Sequence, residues 1–417
     1  MQLTEEEKQM LNGDNGPEAK KAMDILVALG RSFKAKKLIE INSVHMAGSA
    51  IRVSGDAGAK FVKDSQKQGG TFKTTVTTNP TSIDPKKWDQ LGISEKDHED
   101  QQALTNAYKN MGANISNTCT PFLGGNTPRF GEHVAWGESS AVVYINSVIG
   151  ARTNREGGPS GLASAITART PEYGFHLKEN RYGKVLVKIE SELNDLTDYG
   201  TLGFFTGSIV GKETPVFTGM PENPTIEQMK ALSAALATSG TVSMFHAVGV
   251  TPEASTLEEA FGGNEPEQTL VFNDEEKRKA ENQLNTDNSS DVDWIQIGCP
   301  FATFDEIKEL VDKLDGRKIH EDIAFWVTTS GQMYEMAKNS GHIETLEDAG
   351  VTIVTDTCPF MARTPEIAPK KGYEIFATNS AKMAFYTPGM LELKAHYGNI
   401  DKLVNAAIKG KWEGNHE

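Results

Sequence analysis

Apolar and polar positions along the chain follow two periods that take turns, and they predict helices and strands in alternation. Over the first 37 residues the apolar positions recur at helical spacing, with Ala22, Ile25, Leu26 and Leu29 on one face; Leu3-Thr4 starts the helix and acidic residues fill its first turn. A short strand runs from Lys37 to Asn42 and ends near Ser43. Residues 71–78 are β-branched and predict a strand, 101–111 a helix, 116–119 a turn and 185–190 a strand. The Gly-rich apolar run 203–211 predicts a buried helix start or a tight packing site. Residues 226–236 predict a helix and 240–250 a strand. The polar stretch 261–290 reads as surface helices with loops and as a domain boundary. Beyond it come strands at 294–298, 323–328, 351–355 and 373–378, with helices at 303–314 and 331–339. Thr303 caps the first of these, with Glu306 in the third helical position. Strands alternating with helices predict an α/β fold of parallel sheets covered by helices.

The 417 residues predict two or three domains, and 38% apolar with 8% aromatic residues is enough to fill real cores. Lys plus Arg number 42 against 57 Asp plus Glu, a net charge of −15, which argues against a nucleic-acid partner or an anionic membrane surface. No apolar run approaches the roughly 18 residues of a membrane span. The start, MQLTEEEKQM, is acidic and polar, unlike a signal peptide. Three cysteines do not suit a disulfide framework, so a cytoplasmic address is expected.

Those cysteines share a context. Residues 294–298 run into Cys299-Pro300, residues 351–357 into Cys358-Pro359, and the third is Cys119-Thr120-Pro121. Proline stops a regular strand, so each Cys is presented at an element's end, where α/β sheets bind ligands. A lone Cys in a β-rich stretch is usually a small core hydrophobe. Three of three beside Pro point instead to an iron–sulfur cluster held by three thiolates. Structural zinc takes four ligands with close Cys pairs, which are absent. Three ligands leave one iron open to act as a Lewis acid on a hydroxy acid, chemistry that suits loss of water.

From Cys119 to Arg181 the chain is rich in Gly, Arg and carboxylates. Glu132, His133 and Glu138 are candidates for acid/base work or for orienting a ligand, against a structural reading as ion pairs and caps. Arg152 and Arg155 offer forks for a substrate carboxylate or phosphate. A second polar cluster, Ser43 to Ser49 with Gly55 to Gly58, also follows a strand. It holds His45, in a Gly/Ser-rich loop, whereas His246 lies in an apolar strand and reads as structural. No phosphate-loop, dinucleotide or nucleophile-elbow motif is present.

The segments Asn117-Thr-Cys-Thr-Pro, Gly131-Glu-His-Val-Ala-Trp-Gly-Glu-Ser-Ser-Ala-Val and Asn146-Ser-Val-Ile-Gly-Ala-Arg-Thr-Asn-Arg-Glu-Gly-Gly resemble the aconitase X catalytic subunit. So do Ile297-Gly-Cys-Pro-Phe, Asp356-Thr-Cys-Pro and Asn379-Ser-Ala-Lys-Met-Ala-Phe-Tyr-Thr-Pro-Gly. The resemblance covers essentially the whole chain. It implies a hydro-lyase of three α/β/α domains around an iron–sulfur cluster, without the swivelling domain, with edges near 1–190, 191–288 and 289–417. Cys119, Cys299 and Cys358 would be the metal ligands, of a [4Fe–4S] cluster or of a [2Fe–2S] cluster with an additional iron. The resemblance also implies a small partner subunit that carries the swivelling domain and the catalytic base. The residues expected around the substrate are His45, Gly48, Ser49, Asn79, Ser139, Ser140, Arg152 and Arg155, with Glu132, His133 and Glu138 as proton-handling or orienting groups. The expected substrate is a small hydroxy acid, cis-3-hydroxy-L-proline first and mevalonate 5-phosphate as the alternative. Rival readings are a cluster-free binding or assembly subunit and a zinc hydrolase.

Overall fold

A computed structural model describes residues 1–362 and 364–413. Among the described residues, fourteen strands form four sheets. The first part of the chain holds β1 (Leu38–Glu40), β2 (Ser43–Met46), β3 (Thr75–Thr78), β4 (Ala135–Trp136) and β5 (Arg169–Pro171). β2 lies between β3 and β4, all parallel, while β1 and β5 form a small antiparallel pair. The middle of the chain builds a parallel sheet in the order β8-β7-β6-β9 from β6 (Val185–Ile189), β7 (Pro215–Thr218), β8 (His246–Ala247) and β9 (Gln268–Phe272). This sheet includes a strand on the N-terminal side of the expected edge at residue 190. The last part forms a parallel sheet in the order β12-β11-β10-β13-β14 from β10 (Trp294–Ile297), β11 (Ala324–Thr329), β12 (Thr352–Thr355), β13 (Ile375–Thr378) and β14 (Lys394–Tyr397).

The chain lays down β10 first, adds β11 and β12 on one side, then crosses to add β13 and β14 on the other. The connections leave β10 and β13 in opposite directions, and the gap above their C-terminal ends is the switch point where open α/β sheets bind ligands. The middle sheet is covered by helices Leu196–Val210 and Ile226–Ser239. They touch at Gly203, where a Cβ would meet Ala235 Cβ and the Leu232 carbonyl oxygen, each at 2.8 Å. The run 203–211 is therefore the tight packing site expected, lying within a helix.

Several elements differ from the periodicity. The expected first helix is two, Glu5–Asn12 and Pro17–Ser32. Gly13, at φ +94°, closes the first, and Pro17 opens the second. Thr4 does cap the chain's start, with Glu7 completing a capping box. The strand expected over 240–250 shrinks to β8. β9 lies in the polar stretch expected to be helices and loops; it is an edge strand, and an edge tolerates polar side chains. β14, the other edge of its sheet, carries Lys394 and His396 and shows no strand periodicity in the sequence. Among the described residues no helix is long and apolar enough to cross a membrane.

Candidate active site

Two parallel sheets turn their C-terminal ends toward one cleft. β2, β3 and β4 deliver His45, Asn79 and Glu138; β10, β12 and β13 deliver Cys299, Cys358, Ser380 and Lys382. Hydrogen bonds tie the two sides together: Thr81 N donates to the Asp356 carbonyl at 2.8 Å, Thr357 Oγ1 to the Thr81 carbonyl at 2.8 Å, and Thr355 N to Asp84 Oδ2 at 2.8 Å.

Cys119 and Cys358 are presented by the same local device. Asn117 (φ +42°) and Asp356 (φ +64°) adopt left-handed backbone, each followed by a buried Thr and then the Cys. Asn and Asp are the side chains that tolerate this conformation best. Asn117 Nδ2 lies 3.5 Å from Asp356 Oδ2 and links the two turns. Cys299 follows Gly298 (φ +99°), where a Cβ would run into the Thr328 carbonyl oxygen. Only glycine fits there.

All three thiols are free and half-buried. Phe301 N donates to Cys119 Sγ at 3.2 Å. Ser380 donates to Cys299, and the backbone N–H groups of Met361 and Phe360 serve Cys358. Burial pushes the thiols up, Cys119 well above the usual range and Cys358 to about 12, and Cys299 adds to the rise at both. Cys299 is thus close enough to both of the others to act on their charge.

Lys382 stands beside them and was not among the residues expected from sequence. Its Nζ donates to Ser140 Oγ at 2.9 Å and lies 3.3 Å from Glu138 Oε1. Glu138 Oε2 also accepts from Ala141 N at 2.6 Å, capping the short helix Ser139–Tyr144. Burial opposes the Lys382 charge, but Glu138 and the cysteines outweigh it and the ammonium is held more firmly than usual. Sequence carried one signal of this. Lys382 is in the first turn of a helix capped by Ser380, where a cation opposes the helix dipole and needs another reason to be there.

His45 is buried, with Nδ1 2.9 Å from Thr77 Oγ1 and Nε2 3.3 Å from Asn79 Oδ1. Burial lowers its pKa to about 4, so the ring is neutral at pH 7. Ser49 Oγ donates to the Asn79 carbonyl at 2.6 Å, and Gly48 (φ +82°) makes the turn between them. Gly137 lets the strand carrying Glu138 approach this loop: a Cβ would meet Ala47 Cβ at 2.5 Å and the Glu156 carbonyl at 2.8 Å. Arg155 is exposed, is hydrogen-bonded to the Val242 carbonyl at 3.1 Å, and feels the Glu138 charge.

The structure does not bring the other expected residues to the cysteines. Glu132 Oε2 accepts from Arg129 N in a local turn. His133 Nδ1 meets His176 Nδ1 at 3.0 Å, and Arg152 reaches the His176 carbonyl at 3.4 Å. They lie at the opposite end of the β4 segment from Glu138. Their sequence proximity to Glu138 is misleading because an extended segment separates them by about 3.3 Å per residue. The Nε2 of His246, which was expected to be structural, lies 2.8 Å from the Arg181 carbonyl oxygen.

The donor set fits an iron–sulfur cluster. It offers three thiols in one place, N–H and O–H donors to sulfur, and a nearby cation to balance thiolate charge. Among the described residues no three His, Cys, Asp or Glu side chains gather around a single point as one metal ion would require. In a [4Fe–4S] cluster the three thiolates would bind different irons, so they need not converge on one point. Bound metal would also hold as thiolates the thiols that burial otherwise keeps protonated.

Comparison with known proteins gives the arrangement its class: relatives across nearly the full chain are dehydratases, and this is an enzyme of the hydro-lyase class. More narrowly, the chain belongs to the aconitase X family. Family models described as the aconitase X first, second and third domains match residues 1–179, 183–282 and 292–409. The phosphomevalonate dehydratase large subunit of Methanothermobacter thermautotrophicus is 39% identical, covering 96% of this chain and 98% of that one. The cis-3-hydroxy-L-proline dehydratase of Pseudomonas aeruginosa is 36% identical over 96% of this chain and 69% of its own length. The solved holo-form of Thermococcus kodakaraensis aconitase X superposes with a TM-score of 0.88 at 35% identity, covering 98% of this chain and all of that one.

Proposed function

We propose that this chain is the large subunit of a two-chain, iron–sulfur-dependent dehydratase that removes water from a small hydroxy acid. The observation that carries the reading is the meeting of Cys299 and Cys358, just past the C-terminal ends of parallel strands, with Cys119, on the segment bridged to β3 at Asn114, each supplied with a hydrogen-bond donor. Those three residues would hold the cluster, which when bound supplies a Lewis-acidic iron for the substrate's hydroxyl and carboxylate.

The chain's own residues then divide the remaining work. Arg155 presents an exposed guanidinium to a substrate anion. Neutral His45, held by Thr77, and Asn79 offer hydrogen bonds from the first sheet, and Ser49 fixes the turn that carries Asn79. Ser139 and Ser140 begin the helix after Glu138, and Lys382 fixes Ser140 and Glu138 from the opposite side. Glu138 is anchored by a backbone N–H and an ammonium, which suits a positioning group better than a mobile base. The small partner subunit supplies the base that takes the α-proton.

For the substrate we place mevalonate 5-phosphate first, reversing the order expected from sequence. Relatives named for phosphomevalonate reach 39% and 38% identity, against 36% and 35% for those named for cis-3-hydroxy-L-proline. The amino-acid substrate stays as a second reading on the strength of that 36% match. The test is dehydration of both compounds by the anaerobic protein co-expressed with its small subunit. Turnover of mevalonate 5-phosphate alone supports the first reading, turnover of hydroxyproline alone supports the second, and turnover of neither defeats both.

A further inference from the structure

A cavity of about 640 Å³ opens where Phe130, Arg152, Lys178, Arg181, His246 and Glu253 meet. It is separate from the cysteine cleft. Residues 132–136 run parallel to 152–155, bridged at His133–Arg152 and at Trp136–Arg155. The Trp136–Arg155 end leads to Glu138 and the cleft; the His133–Arg152 end faces this cavity. Three extended residues put the two ends about 10 Å apart.

The charges on the wall are unequally used. Arg181 is 2% exposed and spent on Glu253, whose Oε2 accepts from Nε at 2.8 Å and from a terminal nitrogen at 2.6 Å. Arg152 and Lys178 enter no ion pair among the described residues, although the chain carries 57 carboxylates. Arg152 is half-buried, its one side-chain hydrogen bond among those residues is the 3.4 Å contact to the His176 carbonyl, and its Nε has no partner. Glu258 and Glu259 are exposed at the rim, and Glu259 is occupied in accepting from Ser255 N. A half-buried guanidinium left without a counter-ion is costly unless a ligand completes it.

The wall thus keeps a guanidinium without a counter-ion among the described residues, and Lys178 adds a second cation at the exposed rim. We infer that this cavity is a second small-molecule site, and that it takes a small carboxylate, held by Arg152 and Lys178.

Isothermal titration of the purified protein with acetate and inorganic phosphate tests this directly and does not depend on the dehydratase reading. Acetate should bind saturably. Its affinity should fall about tenfold or more in Arg152→Gln and in Lys178→Gln, through loss of a charge-assisted hydrogen bond. Lys178 is at the rim, so its variant reports on binding even if Arg152→Gln fails to fold. Lys338→Gln, at an exposed lysine on the helix Gly331–Asn339, should bind acetate as the parent does. Absence of saturable binding, a preference for phosphate, or an acetate affinity unchanged in Lys178→Gln would each overturn the assignment.

Discussion

Single residues set the charge of this site. Lys382 is the counter-charge beside Glu138, with side-chain exposures of 13% and 7%. Lys382→Met should lower kcat about 100-fold by removing a fixed charge from the site, and should cost about 3 kcal/mol in urea unfolding by stranding a buried carboxylate. Lys382→Arg should recover part of the stability. His45 gives a pH signature. Its ordinary pKa is 6.5 and its folded value about 4, so between those limits only the unfolded chain binds the proton. The contribution is complete above pH 6.5 and is lost as pH falls toward 4, at about 1.4 kcal/mol per pH unit. Urea titrations at pH 7, 6 and 5 should show this slope, and His45→Gln should flatten it. The cysteines were legible in the sequence because each stands beside a proline at an element's end. Lys382 was not, because its partners Glu138 and Ser140 are more than two hundred residues away in the chain. Glu132, His133 and Arg152 stand apart from the cysteines, because the extended segment between them and Glu138 carries only Glu138 to the cleft.

At the level of elements, the site depends on turns that follow strands. Gly298→Ala would drive a Cβ into the Thr328 carbonyl and force the turn before Cys299 to move. Lys230, from the helix Ile226–Ser239, holds the far side of that turn through the Pro300 and Phe301 carbonyls at 3.2 and 2.9 Å and the Glu306 carboxylate at 2.5 Å. Lys230→Met should destabilise the protein by about 3 kcal/mol or more, measured by urea unfolding, because three buried acceptors lose one cation. It should also loosen metal binding at Cys299, read as iron per chain. The central strands and capped helices were legible because burial on both faces leaves continuous apolar runs and because Thr303 and Glu306 sit at capping spacing. The edge strands β9 and β14 were not, since one unpaired side relaxes the demand for apolar residues.

The whole molecule assembles its cleft from chain segments far apart in sequence. The first sheet supplies His45, Asn79 and Glu138, the last supplies Cys299, Cys358 and Lys382, and the middle one braces the Cys299 turn through Lys230. No single segment holds the site, so local motifs revealed ligand types while the sheet order showed where they meet. The central claim is that three thiolates gathered this way hold an iron–sulfur cluster. The most direct measurement is iron, acid-labile sulfide and visible absorbance after anaerobic reconstitution, made on the parent protein and on Cys119→Ser, Cys299→Ser and Cys358→Ser. The account expects iron, sulfide and colour in the parent and their loss in each variant. Near-zero iron in the reconstituted parent, or colour retained in all three variants, would contradict it.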